Sequence, residues 1–153
     1  MMQKYLTIIF LILIGCRPIE PVNFVEIQNV KINSSTDNQI NISAEIVLDN
    51  PNKVKIIIEN IDVDIYAEDI ILVDINENES RELSESSETT VNITGEVNLK
   101  NLEEFLNKKG LAIILGGDDV SLKFIGSIRA KAYGIKDEID INYTINSVKG
   151  LIK

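Results

Sequence analysis

Two carboxylates spaced two residues apart, Asp62 and Asp64, are the first candidates for chemistry in this 153-residue chain. In a β-strand, residues i and i+2 lie on the same face of the sheet, so both side chains could reach one cation. Carboxylate oxygens are the ligands that Ca²⁺ prefers. The same spacing is more often the solvated face of an amphipathic strand. That interpretation is favoured, and we expect neither a metal site nor a cofactor.

The chain contains no histidine, which limits the catalysis that it can perform. Histidine is the commonest general base at neutral pH and the commonest metal ligand. Metallohydrolases and Ser-His or Cys-His nucleophile systems are therefore excluded. A glycosidase-like carboxylate pair stays open, but the spacing of the 24 acidic residues singles out no pair. The formal charge of −9 argues against nucleic acid as a partner. We expect a protein that is not an enzyme, with no catalytic residue.

The single cysteine, Cys16, is a nucleophile whose sequence context suggests a role. It follows Leu13, Ile14 and Gly15, and this tetrapeptide resembles the lipobox of bacterial lipoproteins, in which the thiol accepts a diacylglycerol. The preceding apolar run, residues 6–14, is far shorter than the ~20 residues of a membrane span but has the length of a secretory h-region. The resemblance implies a signal peptide over residues 1–15. It also implies attachment to the lipid bilayer through acyl chains, such as palmitate, on Cys16. The alternative is an ordinary cleaved leader followed by an unpaired cysteine.

Residues 16–22 are predicted to be the lipidated cysteine and a short, stiff tether. Extended Pro-rich chain advances ~3.1 Å per residue, so the six residues from Arg17 to Val22 would reach roughly 19 Å. Arg17 stands where an aspartate would resemble the inner-membrane retention signal of some Gram-negative bacteria. The expected location is the bacterial cell envelope, on the periplasmic face of the outer membrane if the cell has one.

From Phe24 onward, apolar and polar residues alternate with a period of two, which is typical of strands with one dry face. Such strands recur about every ten residues between Asn, Asp, Gly and Ser, and this spacing predicts an antiparallel β-sandwich. The phase changes between Ile58 and Ile61, indicating a kink or a register shift. The pattern around Gly126 fits one long strand or two strands joined by a bend.

Residues 99–110 break the period of two. Leu99, Leu102 and Phe105 stand at helical spacing, with acidic residues early and basic residues late, as the helix dipole favours. Asn101 is the expected N-cap and Gly110 the expected C-terminal cap. The sequence therefore predicts one short helix near residues 101–109.

Two polar stretches are predicted to be connections. Residues 76–88 contain five glutamates and are interpreted as a solvated acidic loop, with a partner-binding or cation-buffering surface as the alternative. Residues 115–120, with the sequence LGGDDV, are predicted to form a hairpin turn. A phosphate-binding loop would need a helix after it, whereas a β-pattern follows.

The triplet Asn50, Pro51 and Asn52 interrupts a β-pattern that resumes immediately afterwards. Proline cannot donate to a sheet ladder and pushes the residue before it toward extended geometry. Asparagine amides can bond to nearby backbone groups. The triplet is therefore interpreted as structural, either a turn or an edge-strand bulge, rather than as a binding site.

The order of elements around this triplet resembles the late-embryogenesis-abundant group 2 family, also called the WHy (water stress and hypersensitive response) domain. A strand ending in LDNPN is followed by IDVDIYAEDI, by TTVNITGEV, by a short helix and by VSLKFIGSIRAKAYGIKDEIDINYTI. The resemblance covers residues 24–146, so we expect a domain over residues 23–147 and a tail over residues 148–153. It implies a fibronectin type III-like β-sandwich with one helix. It also implies an association with desiccation and stress tolerance, and no catalytic role for the triplet.

Two functions from different classes follow as expectations. The first is a membrane-anchored stress-protection module, whose acidic, hydrated surface would shield envelope proteins or lipids during water loss. The second is an adaptor or assembly lipoprotein that binds a protein partner by strand addition at a sheet edge. A long, uncharged edge strand left open would favour the second.

Overall fold

A computed structural model describes residues 18–34, 39–114 and 119–147 of the chain. In chain order the elements are β1 (Asn23–Ser34), β2 (Ile40–Asn50), β3 (Ile56–Ala67), β4 (Ile70–Glu77), β5 (Arg81–Leu83), β6 (Ser87–Glu96), α1 (Leu99–Ile114), β7 (Leu122–Ala132) and β8 (Ile135–Ile145).

The described strands form two antiparallel sheets. One has the order β1-β2-β6; the other has the order β4-β3-β7-β8, with β5 pairing to β3 as well. The predicted fold class, an antiparallel β-sandwich of the fibronectin type III kind with one helix, is confirmed.

The core lies between the two sheets because the alternating apolar residues of each sheet face the other. Ile46 and Leu48 of β2, Ile65 of β3, and Phe124 and Ile128 of β7 are all 0% exposed. Full burial of one such side chain stabilises the fold by about 1.5–3 kcal/mol relative to an exposed position. The period of two in the sequence therefore predicts correctly which strand residues are buried in the core.

Strand β3 is the centre of the larger sheet and changes partner along its length. Ile56–Ile58 pair with β5, and the residues from Ile61 onward pair with β4. Between Ile58 and Asn60 the register with β7 shifts, which leaves Glu59 as a bulge. The predicted phase change is thus a register shift within one strand.

Gly126 lies in the middle of an uninterrupted β7, so the single long strand is the correct alternative. A Cβ atom at this position would lie 2.0 Å from the carbonyl oxygen of Asp62 and 2.7 Å from the Cα of Val63. Glycine is required here because the backbones of β7 and β3 approach too closely for a side chain.

Helix α1 is longer than predicted, and both predicted caps are wrong. Asn98 is the N-cap: its Oδ1 accepts hydrogen bonds from the backbone N–H of Lys100 (3.1 Å) and of Asn101 (3.2 Å). Asn101 instead donates its side-chain amide to the carbonyl of Ile71 at 2.8 Å. Gly110 is buried inside the helix, which continues to Ile114. A glycine within a helix costs only about 1 kcal/mol, so the packing of Ile113 against the core decides the outcome.

The two predicted connections also differ from expectation. Residues 76–88 form the end of β4, all of β5 and the start of β6, because the fully buried Leu83 ties this stretch to the core. Of residues 115–120, the first four lie outside the described residues. The described elements on either side of it are a helix, α1, and a strand, β7, rather than the two paired strands that the prediction requires.

Candidate functional site

The triplet Asn50–Asn52 lies where the chain passes from one sheet to the other. β2 ends at Asn50 in the smaller sheet, and β3 begins at Ile56 in the larger one. Pro51 is the first residue outside the ladder, where its missing N–H removes no strand hydrogen bond. The segment is thus a crossover that changes the direction of the chain between the two sheets, and not an edge-strand bulge.

The side chain of Asn50 is fully buried and uses all of its hydrogen-bonding capacity. Its Nδ2 donates to the carbonyls of Val54 and Ser84, each at 2.9 Å. Its Oδ1 accepts from the backbone N–H of Asn52 at 3.0 Å and from the Asn52 side-chain amide at 3.1 Å. A buried amide satisfied in this way holds two backbone segments, the β2–β3 crossover and the chain at Ser84, in one geometry.

Asn52 extends this network to the N-terminal segment and to the turn before β6. Its Oδ1 accepts from the backbone N–H of Glu20 at 2.7 Å, and its Nδ2 donates to the carbonyl of Glu20 at 2.8 Å. Its own carbonyl accepts from the backbone N–H of Ser86 at 2.8 Å. We call Asn50 and Asn52 together the asparagine latch. The latch consists of neutral amides engaged with backbone, so its chemistry is structural.

The latch holds residues 18–22 against the domain. Val22 is buried, and Ile19 packs half-buried on the core. This part of the predicted tether therefore does not reach outward, and only Arg17 separates it from Cys16. Cys16 and the lipobox residues Leu13, Ile14 and Gly15 lie outside the described residues. Within the residues that the structure describes, α1 lacks the length and hydropathy of a membrane-spanning helix.

Asp62 and Asp64 lie on the outer face of the larger sheet, where Asp64 stands opposite Asp74 of β4. Partial burial and, next, the charge of Asp74 raise the pKa of Asp64, although the Tyr66 hydroxyl donates to its Oδ2 at 3.4 Å. In the described part of the chain no three acidic, cysteine or histidine side chains are arranged to hold a metal ion. Asp62 and Asp64 thus belong to a partly desolvated face of β3.

The edge strand β6 carries the uncharged run Thr89–Gly95, but its outer side is already occupied. Arg81 donates from Nη1 to the carbonyl of Asn92 in the middle of the run, and its Nη2 contacts Glu77 Oε2 at 2.5 Å. Since the guanidinium uses a backbone acceptor that an added strand would need, Arg81 protects this edge.

Other described edges are protected in different ways. β1 has two register shifts, and its Asn29 adopts a positive φ of 51°. The Leu72 carbonyl of β4 accepts from the Asn98 backbone N–H at 2.8 Å. The first half of β8 presents a charged run, Lys136–Glu138. Bulges, side chains and charges of this kind discourage pairing with another chain.

Beneath α1, at the end of the sandwich opposite the latch, lies a cavity of about 250 Å³. The described residues that line it are all apolar, and they come from both sheets and the helix. The sequence does not predict this cavity. A weak signal was present, since the helix carries more large apolar residues than one narrow stripe requires.

Comparison with known proteins shows to which family the chain belongs. The late embryogenesis abundant protein family matches residues 45–146, about two thirds of the chain. The chain therefore belongs to the late embryogenesis abundant protein family. No curated protein matches it.

Two solved structures share the fold. A crystal structure of a protein from Archaeoglobus fulgidus superposes with a TM-score of 0.59 at 16% identity, covering 82% of this chain and 98% of that chain. The solution structure of a protein from Arabidopsis thaliana superposes with a TM-score of 0.68 at 14% identity, covering 86% of this chain and 83% of that chain. At these identities the similarity is one of fold.

Proposed function

We propose that this chain is a non-catalytic lipoprotein whose domain, of the WHy type, protects envelope proteins or membrane lipids during water loss. Membership of the late embryogenesis abundant protein family supports a stress-related domain. The lipobox-like residues Leu13–Cys16 support an anchor in the cell envelope, on the periplasmic face of the outer membrane in a Gram-negative cell.

The structural observation that supports the protective role is that the described sheet edges are blocked against pairing with another chain. Drying concentrates proteins, and exposed strand edges then pair between molecules and aggregate. Here Arg81 covers the most uncharged edge, β6, and the formal charge of −9 adds mutual repulsion between copies. A protein that does not self-associate at high concentration can keep other proteins from contacting one another as water is lost.

The same observation weakens the adaptor alternative. Strand addition requires an edge with free backbone donors and acceptors. The long uncharged run of β6 has its central carbonyl, at Asn92, bonded to Arg81. A partner would first have to displace this side chain from both Asn92 and Glu77.

An anchor at Cys16 would also fix the orientation of the domain. The latch holds Glu20 at the end of the sandwich where β2 finishes. β2 has 11 residues, so the other end, with α1, lies about 35 Å farther away at about 3.3 Å per residue. The latch end would face the bilayer, and α1 would face away from it.

The protective role is tested by drying a labile reporter enzyme with residues 18–153 and measuring the activity recovered on rehydration. The control is an unrelated acidic globular protein of equal size and charge. Recovery clearly above this control is expected, because the fold and its protected edges add to bulk charge. Recovery equal to the control would contradict direct protection of client proteins.

The anchor is tested separately in a bacterial host. Cells are fed an alkyne-labelled palmitate analogue, and the labelled protein is detected after fractionation of the membranes. We expect label on the full chain and none on Cys16→Ser. Equal labelling of the two chains would refute lipidation at Cys16 without bearing on the drying experiment.

A further inference from the structure

Helix α1 covers the end of the sandwich incompletely, which leaves the 250 Å³ cavity between the helix and both sheets. Its floor contains Ile42 of the smaller sheet and Ala67 and Leu122 of the larger one, all at most 3% exposed. Its rim contains Leu102 and Leu106 of the helix, and Leu106 is 51% exposed. The cavity is therefore deep, apolar at its base and reachable from solvent beside α1.

A polar pocket adjoins the apolar cavity. It has a volume of about 190 Å³ and shares Phe105, Ile113 and Val120 with the cavity. Its remaining lining residues are Glu68, Lys109 and Asp119. The apolar cavity is thus lined only by hydrocarbon groups, whereas the polar pocket on the other side of the shared residues also contains two carboxylates and one ammonium group.

We propose that the two pockets together bind a single-chain amphiphile, with its hydrocarbon chain in the apolar cavity and its polar head beside Glu68, Lys109 and Asp119. Each methylene moved from water to the apolar lining favours binding. The head should be neutral or cationic, because the three polar residues carry a net negative charge that repels an anion.

The volume limits what can enter. An apolar protein cavity of about 150 Å³ binds benzene, with its six carbons. In proportion, 250 Å³ accommodates roughly ten carbons, which is one medium-length chain. Two chains of a diacyl lipid, or a helix of a partner protein, are too large for this space.

The binding test uses residues 18–153. These residues contain the described core and the latch contacts, and a cooperative thermal unfolding transition is required of them before binding is measured. Calorimetry and thermal shift are measured with 1-decanol, decylammonium and decanoate below their aggregation limits. A compact ten-carbon alcohol, 1-adamantanol, tests the requirement for a linear chain.

Two variants test the location. Ala67→Leu puts roughly three extra carbons into the cavity and should weaken decanol binding more than about tenfold, while the ligand-free domain keeps or gains thermal stability. Leu106→Ser removes rim surface and should weaken binding severalfold. Leu99→Ser is its matched control, since Leu99 is on the same helix, is 53% exposed and does not line the cavity.

Saturable binding of decanol and decylammonium that falls in Ala67→Leu and Leu106→Ser, but not in Leu99→Ser, is the expected result. Absence of saturable binding, or equal binding by Ala67→Leu, would overturn the proposal. Equal affinity for 1-adamantanol would overturn the linear-chain assignment, and equal affinity for decanoate the assignment of the head group.

Discussion

Asn52 and Glu20, 32 residues apart in the sequence, exchange two hydrogen bonds of 2.7 and 2.8 Å. The side-chain amide of Asn52 thereby occupies the place that a peptide group would take in a strand pair. This contact holds the segment before β1 against the domain, because the pairing of β1 does not extend to that segment.

Asn52→Ala should release that segment. Loss of both bonds to Glu20 and of the bond to Asn50 should lower the free energy of unfolding by about 2–3 kcal/mol. Urea denaturation measures the loss, and hydrogen exchange at the Glu20 amide shows whether the segment opens locally. Unchanged protection of that amide would rule out the contact. Asn142→Ala, at an exposed position of β8, is the control and should stay within about 0.5 kcal/mol of the parent.

Asn50→Ala should cost more than Asn52→Ala. It leaves the carbonyls of Val54 and Ser84 and the backbone N–H of Asn52 without the partners they now have. Fully buried backbone groups without partners cost about 1–3 kcal/mol each. Because the contacts of the two carbonyls are only partly buried, a total loss near the lower end, about 3–4 kcal/mol, is expected. Thermal unfolding without any ligand is the measurement. A stable Asn50→Ala domain would show that the residue is not structural.

Arg81→Met should expose the outer side of β6. With the Asn92 carbonyl uncovered, copies of the domain can pair through the run Thr89–Gly95. Light scattering and sedimentation should show concentration-dependent self-association that the parent lacks. Lys55→Met is the matched control: it removes the same charge and an ion pair of 2.8 Å to Glu82, but contacts no edge carbonyl. Similar association of both variants would attribute the effect to charge alone.

Asp64→Asn should stabilise the domain at neutral pH. The pKa of Asp64 is raised in the folded state, first by burial and then by Asp74, so ionisation of this carboxyl opposes folding. The folded state binds the proton more tightly, and stability therefore falls as pH rises from the ordinary aspartate value through the raised pKa. The gain from Asp64→Asn should appear above that range and vanish below pH 3.8.

The control for this pH dependence is Asp140→Asn, which makes the same change in net charge at an exposed position on β8. Chemical denaturation of both variants and the parent is measured from acid to neutral pH. A gain of equal size in the two variants would assign the effect to net charge rather than to the burial of Asp64 and its repulsion by Asp74.

The sequence predicts the sandwich well because burial alternates along each strand, as Ile61, Val63 and Ile65 of β3 illustrate. It also predicts a break in the ladder at Pro51, since the missing N–H is a local property. The partner of Asn52 could not be predicted, because the Glu20 contact depends on how distant segments meet.

The sequence predicts the end of α1 wrongly for a related reason. Gly110 is a common helix terminator, and the apolar residues after it fit a strand or a helix equally well by pattern alone. Tertiary packing of Ile113 against the core decides in favour of the helix. The cavity, likewise, depends on the fit between α1 and two sheets, which no local pattern encodes.

The pairing of β3 with β7 limits when the chain can fold relative to its synthesis. Arg129 of β7 bonds to the side chain of Asn60 of β3 across 69 residues of sequence. The larger sheet therefore cannot close until β7 has been synthesised, and contacts so distant in sequence form slowly. A chain that folds late remains threadable, as the proposed export through a narrow translocation channel would require.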